Sequence, residues 1–470
     1  MTEQKSKYDR NEKKGENKMR KLLTILTSRN LRRGIALLCV LSMIAACVAC
    51  GEAPDRRKGD PGASATALPT GEPSEPSDPS KGKGSGGSTE LTGGTSGGAV
   101  TTNPMDETMK RTYEAFAYKL FRELQSGQTR MISPFSVYTA FGMLGNGAAG
   151  ETETQMNAAL GLTPEARNAY LAAWIDALVN QPAGEAKFTN ADSLWIREDR
   201  CKNVSQEFLK ICGDYYRAGV FSAKMDPGTV SDINNWVDVN TKGMIKKLFD
   251  ELSPETAMVL MNAISFEAEW SDPFLTEYIR ENADFTHENG TVSKVALMYG
   301  DADGRFLQNS LATGLVKSYK GGKFRYVALL PNEGVTIDQL IASLQPGSLD
   351  TLFAEAKSGD VHVAIPRYEE EYTVGLENAM KALGMNDAFN PNLANFSKLF
   401  STPTCISQVL HKTFISVDNK GTKAAAVTAI AVADCAMADP VPSYNVILNR
   451  PFVYMILDEN NLPIFLGTYE

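Results

Sequence analysis

Residues 421 to 438 read GTKAAAVTAIAVADCAMA, a run that is small, free of proline and nearly uncharged. Surface loops are normally written in Gly, Pro, Asn, Asp and Ser, whereas this one is written in Ala, Val, Thr and Ile, the residues of a buried strand. Alanine is also the best helix former, so taken alone the run reads equally as helix or strand. Thr422, Val427, Thr428, Ile430 and Val432 lower its helix propensity repeatedly. As a strand it has two faces: the even register Thr422, Ala424, Ala426, Thr428, Ile430 and Val432, and the odd register Lys423, Ala425, Val427, Ala429 and Ala431. Lys423 is the only charge before Asp434. The fold must therefore offer a core position to a segment that lies between turns.

The opposite end of the chain sets the compartment. Lys18, Arg20, Lys21, Arg32 and Arg33 precede an apolar run from Gly34 to Ala46, the pattern of a secretory signal. That run is too short to span a bilayer comfortably as a permanent helix. Ile44, Ala45, Ala46 and Cys47 resemble the bacterial lipobox. The resemblance implies a signal over 1–46, lipidation at Cys47, and a protein anchored on the extracellular face of the cell membrane, or secreted if the lipobox is not used. Residues 47–103 are rich in Gly, Ser, Pro and Thr with almost no large apolar side chains. Such a stretch buries too little surface to offset its ordering entropy and is expected to be a disordered tether. Residues 104–470 show no second linker and no internal repeat, which fits one large domain.

Composition excludes several functions. The net charge is -9, and beyond Arg56-Arg57-Lys58 no basic block is available for phosphates, so nucleic acid is not an expected partner. Of seven cysteines, Cys39, Cys47 and Cys50 lie in or beside the signal, and Cys201, Cys212, Cys405 and Cys435 show no CxxC spacing, which favours incidental thiols over disulfides. There is no HExxH and no phosphate-binding loop, no GxSxG within residues 104–470, and no credible Rossmann glycine fingerprint. With only His287, His362 and His411, a His-based metal centre or catalytic triad has few candidates. His411 reads as a structural histidine. Glu369, Glu370 and Glu371 read as a solvated strand end. Neither an enzyme, a metal nor a cofactor is expected.

Periodicity gives a coarse architecture. Asn103 and Pro104 are placed to open a helix in which Tyr113, Phe116, Ala117, Leu120, Phe121 and Leu124 share one face. Later segments change to strand patterns: Phe324 to Leu330, Val361 to Ile365, and a hairpin-like pair, Phe452 to Leu457 and Ile464 to Tyr469. Helices early and strands late indicate an α+β fold.

Motifs in a fixed order carry a family resemblance. Ser133-Pro134-Phe135-Ser136, followed by Ala140, Met143, Gly147, Ala148, Gly150 and Thr152, resembles the early signature of serpins. Asn234, Asn235, Trp236, Val237, Asn240, Thr241, Gly243, Ile245 and Leu248 are similar to their next conserved segment, and Leu260-Met261-Asn262-Ala263 with Phe266, Trp270 and Phe274 to the one after. Leu329-Leu330-Pro331, Leu383-Gly384-Met385, Val409 to Lys412, Gly421 to Thr428 and Asn449 to Phe452 complete the series across 104–470.

The resemblance implies the serpin fold, with helices packed on a large mixed sheet A, sheets B and C, and an exposed reactive-centre loop. It implies a monomeric inhibitor of extracellular serine, and by extension cysteine, endopeptidases. A target protease cleaves the loop, the loop inserts into sheet A, and the acyl-enzyme is trapped. The alternative is a non-inhibitory serpin-fold binding or structural lipoprotein. By position, Gly421, Thr422, Lys423, Ala424, Ala425, Ala426, Val427 and Thr428 form the loop hinge; Ser133, Ser136, Asn262 and His411 the shutter beneath the sheet; and Trp270 the breach where insertion starts. The scissile bond falls at Cys435 and Ala436, whose small residues suit proteases with a shallow primary pocket. Two positions depart from the family: Asn419 and Lys423 stand where Glu is usual.

Overall fold

The computed structural model describes residues 87–93, 100–124, 130–182, 185–253, 255–422 and 441–470. Residues 1–86, with Cys47 and the signal, and residues 423–440, with Lys423 to Thr428, Cys435 and Ala436, lie outside the described residues.

In chain order, β1 (Thr89–Glu90) precedes helix α1 (Glu107–Glu123), β2 (Arg130–Ile132) and helices α2 (Pro134–Gly145), α3 (Gly150–Leu160) and α4 (Pro164–Val179). Then come β3 (Lys187–Arg197), α5 (Gln206–Tyr216), β4 (Gly219–Ala223), α6 (Pro227–Asn240) and the long β5 (Met258–Glu269). The strands β6 (Ile279–Thr286), β7 (Val292–Asp301), β8 (Arg305–Gln308), β9 (Ala312–Ser318) and β10 (Arg325–Pro331) follow. After α7 (Ile337–Ser343) and α8 (Ser348–Ala354) come β11 (Lys357–Ser358), β12 (Asp360–Pro366), β13 (Tyr368–Gly375) and α9 (Glu377–Ala382). The C-terminal part holds β14 (Gln408–Val417), β15 (Gly421–Thr422), β16 (Ser443–Ile447), β17 (Phe452–Leu457) and β18 (Pro463–Tyr469). The hairpin read from the sequence is β17 and β18.

Three sheets result. The first, sheet A, runs β1-β4-β3-β5-β15-β14-β13, with β5 also paired to β14; the second, sheet B, runs β11-β8-β9-β10-β17-β18-β2; the third, sheet C, runs β16-β12-β7-β6. Sheet A has two different buried faces. Met258, Leu260, Ile264, Phe266 and Ala268 of β5 join the main core, while Val259, Met261 and Ala263 pack beneath α6 with Ile233, Trp236 and Val237. Burial on both sides leaves the first part of β5, Met258 to Met261, with no polar register.

Two expectations change. Helix α1 is capped by Asp106, whose side chain accepts from Met109 N, and not by Asn103. Both are good cap residues, and Asp106 wins because it stands three residues before an orphan amide. The tether expected over 47–103 is not structureless throughout. Thr89 and Glu90 pair antiparallel with Ser222 and Phe221 on β4, and Leu91 N donates to Val220 O at 2.7 Å.

Candidate functional site

The site is a seam in sheet A. Strands β5 and β14 pair in parallel from Gln408/Val259 to Lys412/Ala263. Higher up, Gly421 and Thr422 lie between them, opposite Glu269 and Ala268 on one side, while Thr422 faces Val417 on the other. Between these two zones, residues 264–267 of β5 and 413–416 of β14 form no ladder pairs across the seam among the described residues. The gap is four rows deep, about 14 Å at 3.4 Å per residue.

The mouth of this slot is built by local chemistry. Asp418 turns the chain: its Oδ1 accepts from Lys420 N at 2.7 Å and Gly421 N at 3.0 Å, and its own N–H donates to Gly421 O at 2.9 Å. Only glycine fits at 421, since a Cβ there would lie 2.1 Å from Ala268 O. Thr422 is 1% exposed, and its hydroxyl hydrogen-bonds the Tyr319 hydroxyl at 2.6 Å. Trp270, fully buried, stacks on Tyr319 with ring centroids 4.5 Å apart. Its indole N–H donates to Asp418 O at 2.9 Å and its backbone N–H to Lys420 O at 2.8 Å. Phe274 N donates to Asn419 O at 2.8 Å. Trp270, assigned to the breach from sequence, thus holds the turn that seats the hinge.

Below the slot lie the four residues assigned to the shutter from the sequence. Ser133 caps α2 by accepting from Ser136 N at 3.2 Å and donates its hydroxyl to Ile464 O at 2.7 Å. His411, on β14, accepts from Ser133 N at 3.0 Å through Nε2, which leaves the proton of the neutral ring on Nδ1. Burial depresses its pKa to about 4, so the ring is neutral. Asn262 is His411's register partner on β5, yet its amide turns the other way, donating to Asp192 Oδ1 at 2.6 Å and Asn190 Oδ1 at 3.1 Å. Ser133, Ser136 and His411 are therefore joined, and Asn262 is tied to β3 instead. Asn262 Oδ1 and His411 Nδ1 find no partner among the described residues.

Asp192 is the member that sequence reasoning missed. It is fully buried on β3, meets amides and not a cation, and burial pushes its carboxyl up to about 7. The signal was present: Asn190 and Asp192 interrupt a strand whose remaining residues are mostly apolar. The acidic triplet sits inside edge strand β13 and not at a strand end, with Glu369 accepting from Ser416 and Glu371 paired to Lys412. Cys201, Cys212 and Cys405 are free thiols. Among the described residues no cluster of three His, Cys, Asp or Glu could hold a metal, and no helix is long and apolar enough to cross a membrane.

A large sheet with unpaired rows, and a segment of the same chain docked at their mouth, marks a fold whose principal sheet has room for a further strand. The comparisons agree. The family model described as serpin (serine protease inhibitor) matches residues 111–470. The chain belongs to the serpin family, a family of protease inhibitors and not of enzymes. An uncharacterised serpin-like protein of Thermococcus kodakarensis is 30% identical over 363 residues, covering 75% of this chain and 83% of its own. Mouse alpha-1-antitrypsin 1-4 is 30% identical over 366 residues, covering 75% and 86%. The thermophilic serpin tengpin in its native state aligns with a TM-score of 0.76 at 37% identity, over 81% of this chain and 98% of that one. In its latent state the TM-score is 0.68 at 35% identity, over 78% and 99%.

Proposed function

We propose that this protein inhibits extracellular serine endopeptidases with a small primary pocket, and by extension cysteine endopeptidases, through insertion of its cleaved loop into sheet A. The observation that carries the reading is the register of the hinge. Continuing the pairings of Gly421 and Thr422 downward places Lys423 between Glu267 and Ser416, Ala424 between Phe266 and Ile415, and Ala426 between Ile264 and Thr413. Residues 423–426 fill the four unpaired rows. The next two steps set Val427 against Ala263 and Lys412, and Thr428 against Asn262 and His411. A threonine hydroxyl there would donate to Asn262 Oδ1 and accept from His411 Nδ1–H, satisfying both orphaned atoms at once. The even register faces the main core, as the burial of Thr422 already requires, and Lys423 falls on the other face opposite Glu267, which gives its departure from the usual Glu a counter-charge. The greater likeness to native than to latent tengpin is in keeping with a loop still outside the sheet.

In this reading the bond cut is Cys435–Ala436, and the protein works as a monomer held outside the cell by a lipid on Cys47. The test mixes the protein with elastase-like, trypsin-like and papain-like proteases. An elastase-like enzyme is expected to give a complex that survives boiling in detergent, and Thr422→Arg is expected to convert the protein into a cleaved substrate. If every protease only cleaves the loop, and cleavage brings no rise in thermal midpoint, the reading fails.

A further inference from the structure

Lys317 is 2% exposed, on β9, yet forms no ion pair among the described residues. Burying an unpaired ammonium is costly, so its surroundings must compensate. Its Nζ donates to Asp301 O, at the end of β7, at 2.7 Å. The rest of the ammonium faces aromatic rings, 4.5 Å from the centroid of Phe274 and 5.9 Å from that of Trp270. The nearby carboxylates are engaged elsewhere: Asp301 holds His362 and Asp303 holds Ser318, while Asp272 is exposed. Phe274 also lies against Gly300, where a Cβ would come within 2.8 Å of the ring. A desolvated cation over an aromatic face is the strong form of that interaction.

The position gives the contact its meaning. Tyr319, two residues on and so on the same face of the strand, stacks on Trp270 and bonds Thr422. Trp270 and Phe274 both hold the Asp418–Lys420 turn. On the far side, β7 pairs with β12, and β12 with β16, the first strand after the loop. Lys317 thus stands between the two roots of the segment 423–440.

We propose that Lys317 is a positioning residue for the hinge: its ammonium clamps Phe274 and Trp270 to the end of β7 and so keeps Gly421 and Thr422 seated in the sheet. Its effect on inhibition rests on the proposed function, but its effect on the hinge does not. Amide hydrogen exchange of the 418–422 segment is measured by mass spectrometry in the full chain. Lys317→Met is expected to speed exchange there by about tenfold or more, with β3 and β5 unchanged, whereas Lys317→Arg, which keeps a cation, stays near wild type. Should Lys317→Met not fold, Phe274→Leu removes the facing ring and is expected to give the same acceleration. Wild-type exchange in the charge- or ring-deleted variant overturns the proposal, as does a Lys317→Arg hinge as fast as the Met one. Where protease complexes do form, Lys317→Met is also expected to raise the number of inhibitor molecules consumed per protease severalfold. A loosened hinge in a protein that traps no protease leaves the clamp standing and the inhibitory reading refuted.

Discussion

Asp192 and His411 are buried in the same row of sheet A, and burial shifts their pKa values in opposite directions. His411 is held neutral, with its pKa depressed to about 4 from 6.5, so the unfolded chain binds more protons between those values. Its contribution is complete above about pH 6.5 and is lost as pH falls through 4. Asp192 is the reverse, raised from 3.8 to about 7: its contribution is complete below 3.8 and is lost as pH rises through 7. Asp192→Asn removes only the second effect. Its stability relative to wild type is therefore expected to climb from pH 4 to about pH 7 and then level off, by an amount on the order of a few kcal/mol. A difference that does not vary with pH would show that Asp192 carries no such penalty. At this scale the sequence is opaque where pairing decides. Asn262 was grouped from the sequence with Ser133, Ser136 and His411, yet its amide turns to β3 and not to β14, and nothing in its neighbours along the chain says so.

The two edges of sheet A are protected by different means. Edge strand β13 carries Glu369, Glu370 and Glu371, and a charged edge discourages pairing with a second chain. Strand β4, Gly-Val-Phe-Ser-Ala, has no charge at all and is covered instead by β1. Ser88 N also donates to Asp232 on α6 at 3.0 Å, which fastens the cover at a second point. Leu91→Pro deletes the N–H that bonds Val220 O and is expected to lift this cover. Size-exclusion chromatography with light scattering should then find oligomers that grow with concentration, and a variant that stays as monodisperse as wild type would show that β4 needs no guard. Elements with a clear period were legible: α1 and the β17–β18 hairpin follow directly from their apolar spacing. The cover was not, because a two-residue strand has no period and Leu91 is the only large apolar residue in its described segment. The same shortness hid β15, which sequence assigns to a loop and the sheet claims as a strand.

At the scale of the whole molecule, sheet A resembles a partly closed structure more than a finished one. The main core lies along one face of β5 from Met258 to Ala268 and the cluster beneath α6 lies on the other from Val259 to Ala263, so a strand added at the seam would bury its core-facing register throughout and its other register at the lower end. Each buried aliphatic side chain contributes roughly 1.5–3 kcal/mol, and the ladder bonds of a dozen residues add to that. If the loop inserts as proposed, the assembled sheet should be far more stable than the described one, which would then be held by kinetics. A synthetic peptide with the sequence of residues 422–433, added in excess, is expected to occupy the seam, raise the thermal midpoint and abolish protease trapping. If it fails to bind even after long incubation at elevated temperature, the seam is not accessible to a strand from outside. The overall fold was legible because many separate motifs had to keep one order along the chain. The unpaired rows were not, since a gap between strands leaves no residue of its own in the sequence. Those rows also bear on dose. Under the proposed mechanism, a space that takes one strand from its own chain is used up on first filling. The capacity of a population of such molecules is then a stock, fixed by how many copies are made and never restored by turnover.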